Sequence, residues 1–175
     1  IYILISSNLE RLLYEIGGGD DSFVKNNMNK LDSHKKYEIA PKFKEGLKDF
    51  YGEYATEAET LNTIQEVYKN TGYIIDTHTA VAYCVYEKYK QATEDETKTV
   101  IVSTASPFKF TKSVVDALVD DNIEKDEFAL IDVLSDFAKL PVPEALQDIG
   151  QKAILHKKEC GKQDMEEAVK NILGI

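Results

Sequence analysis

The 175 residues include only two cysteines, Cys84 and Cys160, far apart and in no Cys-x-x-Cys arrangement. This argues against a disulfide framework and reads as two free thiols in a reducing setting, so a cytoplasmic location is expected. Basic residues are also short: 21 lysines and arginines face 31 acids, for a formal net charge of -10, and no basic block occurs. A nucleic-acid partner is therefore set aside, since it needs a positive footprint. No apolar run is long enough to span a bilayer, no signal peptide is expected, and no membrane partner follows. Several motifs are missing too. There is no Gly-rich phosphate loop, no nucleophile elbow and no His-Glu-x-x-His; Gly17 to Gly19 follows a helical stripe and reads as a stop signal. The three histidines lack ligand-like neighbours, so no metal site is expected.

With 43% hydrophobic and 30% charged residues, the chain is ordinary globular material and reads as one domain over 1–175. It opens on Ile1-Tyr2-Ile3-Leu4-Ile5, a strand at full stride with no polar lead-in, which points to a piece of a longer protein. Ser6-Ser7-Asn8 then leads into Leu9, Leu12, Leu13 and Ile16 at helical spacing, with Ser7 and Glu10 patterned as a capping box. Residues 20–71 read as a helical layer or insertion. There Phe43, Leu47, Phe50 and Tyr54 form one stripe, and Thr56 with Glu59 caps another that ends at Asn70-Thr71-Gly72. Residues 73–119 read as an α/β core and 120–175 as C-terminal helices, divided at Leu140-Pro141-Val142-Pro143, with Asp164 capping the last.

The organising stretch is Val100-Ile101-Val102-Ser103-Thr104-Ala105-Ser106-Pro107-Phe108-Lys109-Phe110. A β-branched run gives way to small hydroxylated residues and then to a helix start, with Ser106 placed as N-cap and Pro107 at the first helical position. Strands that end at a helix N-terminus are where α/β proteins hold ligands; an ordinary strand–turn–helix with a good cap reads the same way. A second such place begins at Tyr73-Ile74-Ile75. Asp76 or Thr77 caps a helix that is apolar nearly all round and so is expected to be buried, with His78 and Thr79 in its first turn. Residue chemistry leaves capping with a hydrogen-bonded histidine and a ligand site both open here. The fold class expected is α/β, three-layer-like and helix-rich, with a small mostly parallel sheet containing residues near 2–6 and 99–103.

Several segments together resemble the C-terminal part of bacterial threonine synthase. They are Ile5-Ser6-Ser7-Asn8-Leu9-Glu10-Arg11-Leu12-Leu13, then Asp76-Thr77-His78-Thr79-Ala80-Val81-Ala82, then Ser103-Thr104-Ala105-Ser106-Pro107-Phe108-Lys109-Phe110, and finally Leu140-Pro141-Val142-Pro143 with the region around His156. They occur in the family's order across nearly the whole chain. The resemblance implies a C-terminal fragment of a fold-type II pyridoxal phosphate enzyme, a lyase of threonine biosynthesis that converts O-phosphohomoserine and water to threonine and phosphate.

The family's Schiff-base lysine and cofactor-phosphate loop belong to its N-terminal half, and neither motif is found here. The fragment alone is therefore expected to be inactive, and no catalytic residue is assigned within it. What the resemblance implies for this chain is the floor of the cofactor pocket. In this fold type a Ser or Thr hydroxyl pairs with the pyridine nitrogen, and Thr104 is the candidate, with Ser103 second. Lys109 either faces substrate or product phosphate or is a solvated lysine, and Asp76, His78 and Thr79 are pocket support. Many members read His-Pro-Ala-Lys-Phe where this chain has Ser106-Pro107-Phe108-Lys109-Phe110, so no acid–base role is assigned to position 106. A homodimer through the cut face is expected, because removing the rest of the enzyme leaves one side of the sheet or its cover exposed. Two other readings compete: a related pyridoxal phosphate lyase, and a non-catalytic α/β module that binds a phosphorylated small molecule at its helix N-termini.

Overall fold

Helices carry the regular structure of the computed structural model, which describes residues 6–119 and 126–175. In chain order they are α1 (Ser7–Ile16), α2 (Asp21–His34), α3 (Pro41–Lys44), α4 (Glu57–Thr71), α5 (Thr77–Thr93), α6 (Thr111–Leu118), α7 (Ala129–Ala138) and α8 (Met165–Leu173). Short 3-10 turns supplement them, including Pro107–Phe110 immediately before α6. The chain divides into two compact units, Ile1–Leu140 and Pro141–Ile175. The division falls at the Leu140-Pro141-Val142-Pro143 break. α7 stops at Ala138, and Lys139 takes the left-handed conformation that closes a helix (φ 54°).

In the first unit α4 packs on α5 and α6, α6 packs on α7, and α1 packs on α2. The core is built from Ile64 and Val67 of α4, Ala80 of α5, Val114, Val115 and Ala117 of α6, and Leu130, Ile131 and Leu134 of α7. Ile64 and Val114 are 0% exposed. Each aliphatic side chain hidden in this way contributes roughly 1.5–3 kcal/mol, so these four helices hold one another in place largely by that burial. α4 carries the capping box read from the sequence: Glu59 N–H donates to Thr56 Oγ1 and Thr56 N–H donates to Glu59 Oε2. Gly72 closes it with φ 72°. In the second unit α8 shows Met165, Val169, Ile172 and Leu173 exposed, and Ile154 and Leu155 lie in an exposed irregular stretch.

Several local expectations are corrected. The N-cap of α1 is Ser6, whose Oγ accepts from Leu9 N–H at 3.4 Å, so the Ser7–Glu10 capping box does not form. The stripe from Phe43 to Tyr54 is not one helix: α3 runs only to Lys44, a 3-10 turn covers Glu45–Leu47, and the chain is irregular from Phe50 to Ala55. Gly46 accounts for part of this, because a Cβ there would stand 2.8 Å from Ile16 Cγ2, so the segment is held by its approach to α1. α5 is not a buried helix. Thr77, Thr79 and Ala80 are buried, but Val81 and residues 83–90 are half-exposed. Asp164 occupies the N-cap of α8 without a side-chain hydrogen bond to it.

Among the described residues no strand is present. Residues 99–103 and Tyr73-Ile74-Ile75 run outside helices with no ladder, and Val100 and Val102 are 84% and 71% exposed. β-branched residues fit a pleated surface once a neighbour supplies backbone partners; they do not make a strand alone. Apart from Ser6, the other expected strand, near 2–6, lies outside the described residues. Among the described residues no helix is long and apolar enough to cross a membrane.

Candidate functional site

The site is organised by Asp76, the fully buried N-cap of α5. Its Oδ1 accepts from the backbone N–H of His78 at 2.8 Å and of Thr79 at 3.4 Å. A short carboxylate suits this position, since it neutralises two of the free donors at a helix start and complements the helix dipole. The second oxygen, Oδ2, accepts from the Thr79 hydroxyl. Thr79 Oγ1 also lies 3.0 Å from Ser103 Oγ, a contact spanning 24 residues of sequence. A side-chain contact thus joins the turn after Val102 to the first turn of α5.

Three further groups close one side. The His78 ring meets the Phe110 ring with centroids 4.7 Å apart, tilted by 52°. Its Nδ1 is buried, lies 3.6 Å from Asp76 Oδ1 and, among the described residues, makes no hydrogen bond. Phe110 ends the 3-10 turn that Ser106 caps by accepting from Phe108 N–H at 3.3 Å, while Thr111 donates to the Phe108 carbonyl at 2.7 Å. Lys109 is exposed, with Nζ 5.6 Å from the centre of the Phe110 ring, a cation–π arrangement.

Asp76, His78, Thr79, Ser103 and Lys109 therefore lie around two helix starts. Thr104 stands next to them on the chain with its side chain exposed, and among the described residues its hydroxyl makes no hydrogen bond. Ser106 acts as an N-cap. Sequence reasoning missed Phe110 as the ring packed against His78. It also missed a cleft of about 880 Å³ beside His78, lined by Tyr54, Thr56, Thr60, Thr77 and Val81 among others. The Thr77 hydroxyl is buried and has no hydrogen-bond partner among the described residues. No pattern in the sequence marks that cleft, because Tyr54 and Thr56 reach it from an irregular segment.

Chemically, the cluster offers two hydroxyls of different character, one anchored and one free, near a lysine and a histidine. A hydroxyl can pair with the ring nitrogen of a pyridine-type cofactor, and Ser103 and Thr104 are two exposed hydroxyls. Residues 79–172, more than half of the chain, match the family described as threonine synthase, C-terminal. Human threonine synthase-like 1 is 33% identical over 143 residues, covering 81% of this chain and 19% of that protein. Threonine synthase of Saccharomyces cerevisiae is 36% identical over 131 residues, covering 66% of this chain and 26% of that protein. In three dimensions the chain is similar to the crystal structure of yeast threonine synthase, with TM-score 0.67 and 28% identity, covering 98% of this chain and 35% of that one. A pyridoxal-phosphate-bound threonine synthase from Brucella melitensis is also similar, with TM-score 0.50 and 26% identity over 79% of this chain and 28% of that one. The chain spans about a fifth to a quarter of the length of these curated relatives, and it belongs to the threonine synthase family.

Proposed function

We propose that this chain forms the C-terminal part of a threonine synthase, a lyase that converts O-phosphohomoserine and water to threonine and phosphate with pyridoxal phosphate. The observation that carries the reading is the side-chain bridge from Asp76 through Thr79 to Ser103, which ties the exposed Ser103 hydroxyl, next to Thr104 in the chain, to the first turn of α5. Ser103 and Thr104 would face the cofactor's ring nitrogen. When bound, that ring supplies an electron sink for deprotonation next to the amino group.

The chain's own residues orient and enclose. Asp76 fixes the start of α5, Thr79 fixes Ser103, and the Phe110 and His78 rings pack on each other. Thr104 keeps a free hydroxyl toward the ligand. Lys109 is the cation available for a phosphate oxygen at the rim, held near the ring of Phe110. On this reading 1–175 acts as one functional domain, and the Schiff-base lysine is supplied from outside it, so the chain alone does not turn over substrate. The exposed Val100 and Val102 support residues 99–103 as one strand of a small parallel sheet that needs further chain to pair with. The same unpartnered surface supports self-association of the isolated chain as a homodimer. A cytoplasmic setting goes with the two free cysteines, Cys84 and Cys160.

The test uses the full-length protein that carries this chain, as wild type and as Thr104→Val. Cofactor uptake is followed by visible absorbance, and phosphate release is measured from O-phosphohomoserine. The reading expects the variant to keep its cofactor and to lose turnover by at least about tenfold, the value of one hydrogen bond at the reacting group. Unchanged turnover makes Thr104 a structural hydroxyl and removes it from the site.

A further inference from the structure

We propose that the cleft beside His78 is a second ligand site, built for a small organic ammonium ion with an aliphatic stem and a neutral polar end. It uses a different face of α5 from the one that meets Ser103, and it does not depend on the reaction assigned above.

The cleft holds about 880 Å³, within the size range of small-molecule sites. Along α5 it is lined by Thr77, Val81 and Val85, spaced four apart and therefore on one face of the helix. Thr79, which touches Ser103, sits two residues from both Thr77 and Val81 and so belongs to another face. Leu61 of α4 adds to the apolar wall. Thr77 marks the buried end: it is 2% exposed, and its hydroxyl has no hydrogen-bond partner among the described residues. A buried hydroxyl left unpaired is costly, and a polar group on a ligand satisfies it. The open end carries Glu53 and Glu57, both exposed.

Charge decides the class of ligand. A bare helix start favours an anion. Asp76 removes that preference here, because its carboxylate is fully buried and already accepts from the N–H groups of His78 and Thr79. An incoming anion would meet Asp76 near the buried end and Glu53 and Glu57 at the open end. Among the described residues no lysine or arginine lines the cleft, and Lys88 on the same helix is committed to Glu59 and the Tyr54 carbonyl.

The arrangement therefore suits an ammonium group at the open end, methylene groups against Leu61, Val81 and Val85, and a neutral donor or acceptor at Thr77. With the charge at the exposed rim, the ligand buries its stem and keeps its ammonium group in water. A ligand seated this way bridges the irregular segment before α4 to the first turns of α5.

The experiment titrates the full-length protein that carries this chain with a linear aminopentanol, bearing its amine and hydroxyl at opposite ends, by isothermal calorimetry. Three controls accompany it: pentylammonium lacks the hydroxyl, pentanol lacks the charge, and pentanoate carries the opposite charge. The expected result is saturable binding of one aminopentanol per chain, at least about threefold tighter than any control. Added salt should weaken it, because the carboxylates at the rim are exposed. Glu53→Gln combined with Glu57→Gln should erase the preference over pentanol, and Thr77→Val the preference over pentylammonium. Ala82→Trp, at an exposed position lining the cleft, should fill it and abolish binding, with circular dichroism as the check on folding. No saturable binding by folded wild-type protein overturns the proposal, including the case in which the rest of the protein fills the cleft. Binding that folded Ala82→Trp leaves intact, or that pentanoate matches, overturns it as well. Phosphate release from O-phosphohomoserine, measured separately, decides the family reading whatever the calorimetry shows.

Discussion

Lys88 Nζ lies 2.8 Å from Glu59 Oε1 and donates to the Tyr54 carbonyl at 2.8 Å, so one lysine of α5 fastens both the start of α4 and the segment before it. Glu59 has a second duty in the capping box with Thr56. The Lys88 hydrogen bond and those from Thr56 hold its carboxyl down at about 2, below its ordinary 4.5. A carboxyl lowered by folding stabilises above its unfolded value and loses that contribution as the pH falls toward its folded one. Thermal midpoints measured between about pH 4.5 and 2 should fall more steeply in wild type than in Glu59→Gln. Parallel curves would mean that the pair and the cap contribute nothing measurable.

Gly46→Ala should destabilise by about 1–3 kcal/mol, the usual cost of forcing extra atoms into a closed contact. The new Cβ would stand 2.8 Å from Ile16 Cγ2 and 3.1 Å from Ile16 Cβ, and a β-branched side chain on a helix has little room to turn away. Urea unfolding of Gly46→Ala, alone and combined with Ile16→Ala, checks this. The second change should recover part of the loss; a Gly46→Ala chain as stable as wild type would show that the 45–47 turn does not bear on α1.

These two sites show how far the sequence could be read. Capping is local chemistry, so Thr56 with Glu59, Asp76, Ser106 and Gly72 were legible from a few residues each. The segments carrying Asp76, His78, Thr79, Ser103 and Lys109 also stood out, once short segments were matched jointly, and the structure brings Thr79 and Ser103 into contact. What escaped depends on distant partners. The stripe from Phe43 to Tyr54 has helical spacing but is overruled by Gly46 against Ile16. α5 looks buried by composition, yet most of it is only half-covered. The run Val100-Ile101-Val102 has strand propensity, but a ladder needs a neighbouring backbone. The link from Thr79 to Ser103 crosses 24 residues and leaves no spacing signal.

Amide exchange in the full-length protein tests the proposed strand. If residues 99–103 pair within a sheet there, the amides of Val100 to Val102 should alternate between strong and weak protection or be protected throughout, depending on whether one edge or both are paired. Uniformly fast exchange, matching their exposure in this chain, would leave the stretch a loop and remove the sheet from the account.

The most direct measurement is phosphate release from O-phosphohomoserine by the full-length protein with pyridoxal phosphate, beside the 175-residue chain alone. The account predicts steady release with stoichiometric appearance of threonine from the full-length protein and none from the chain alone. A full-length protein that binds the cofactor but leaves this substrate untouched would contradict the assigned reaction.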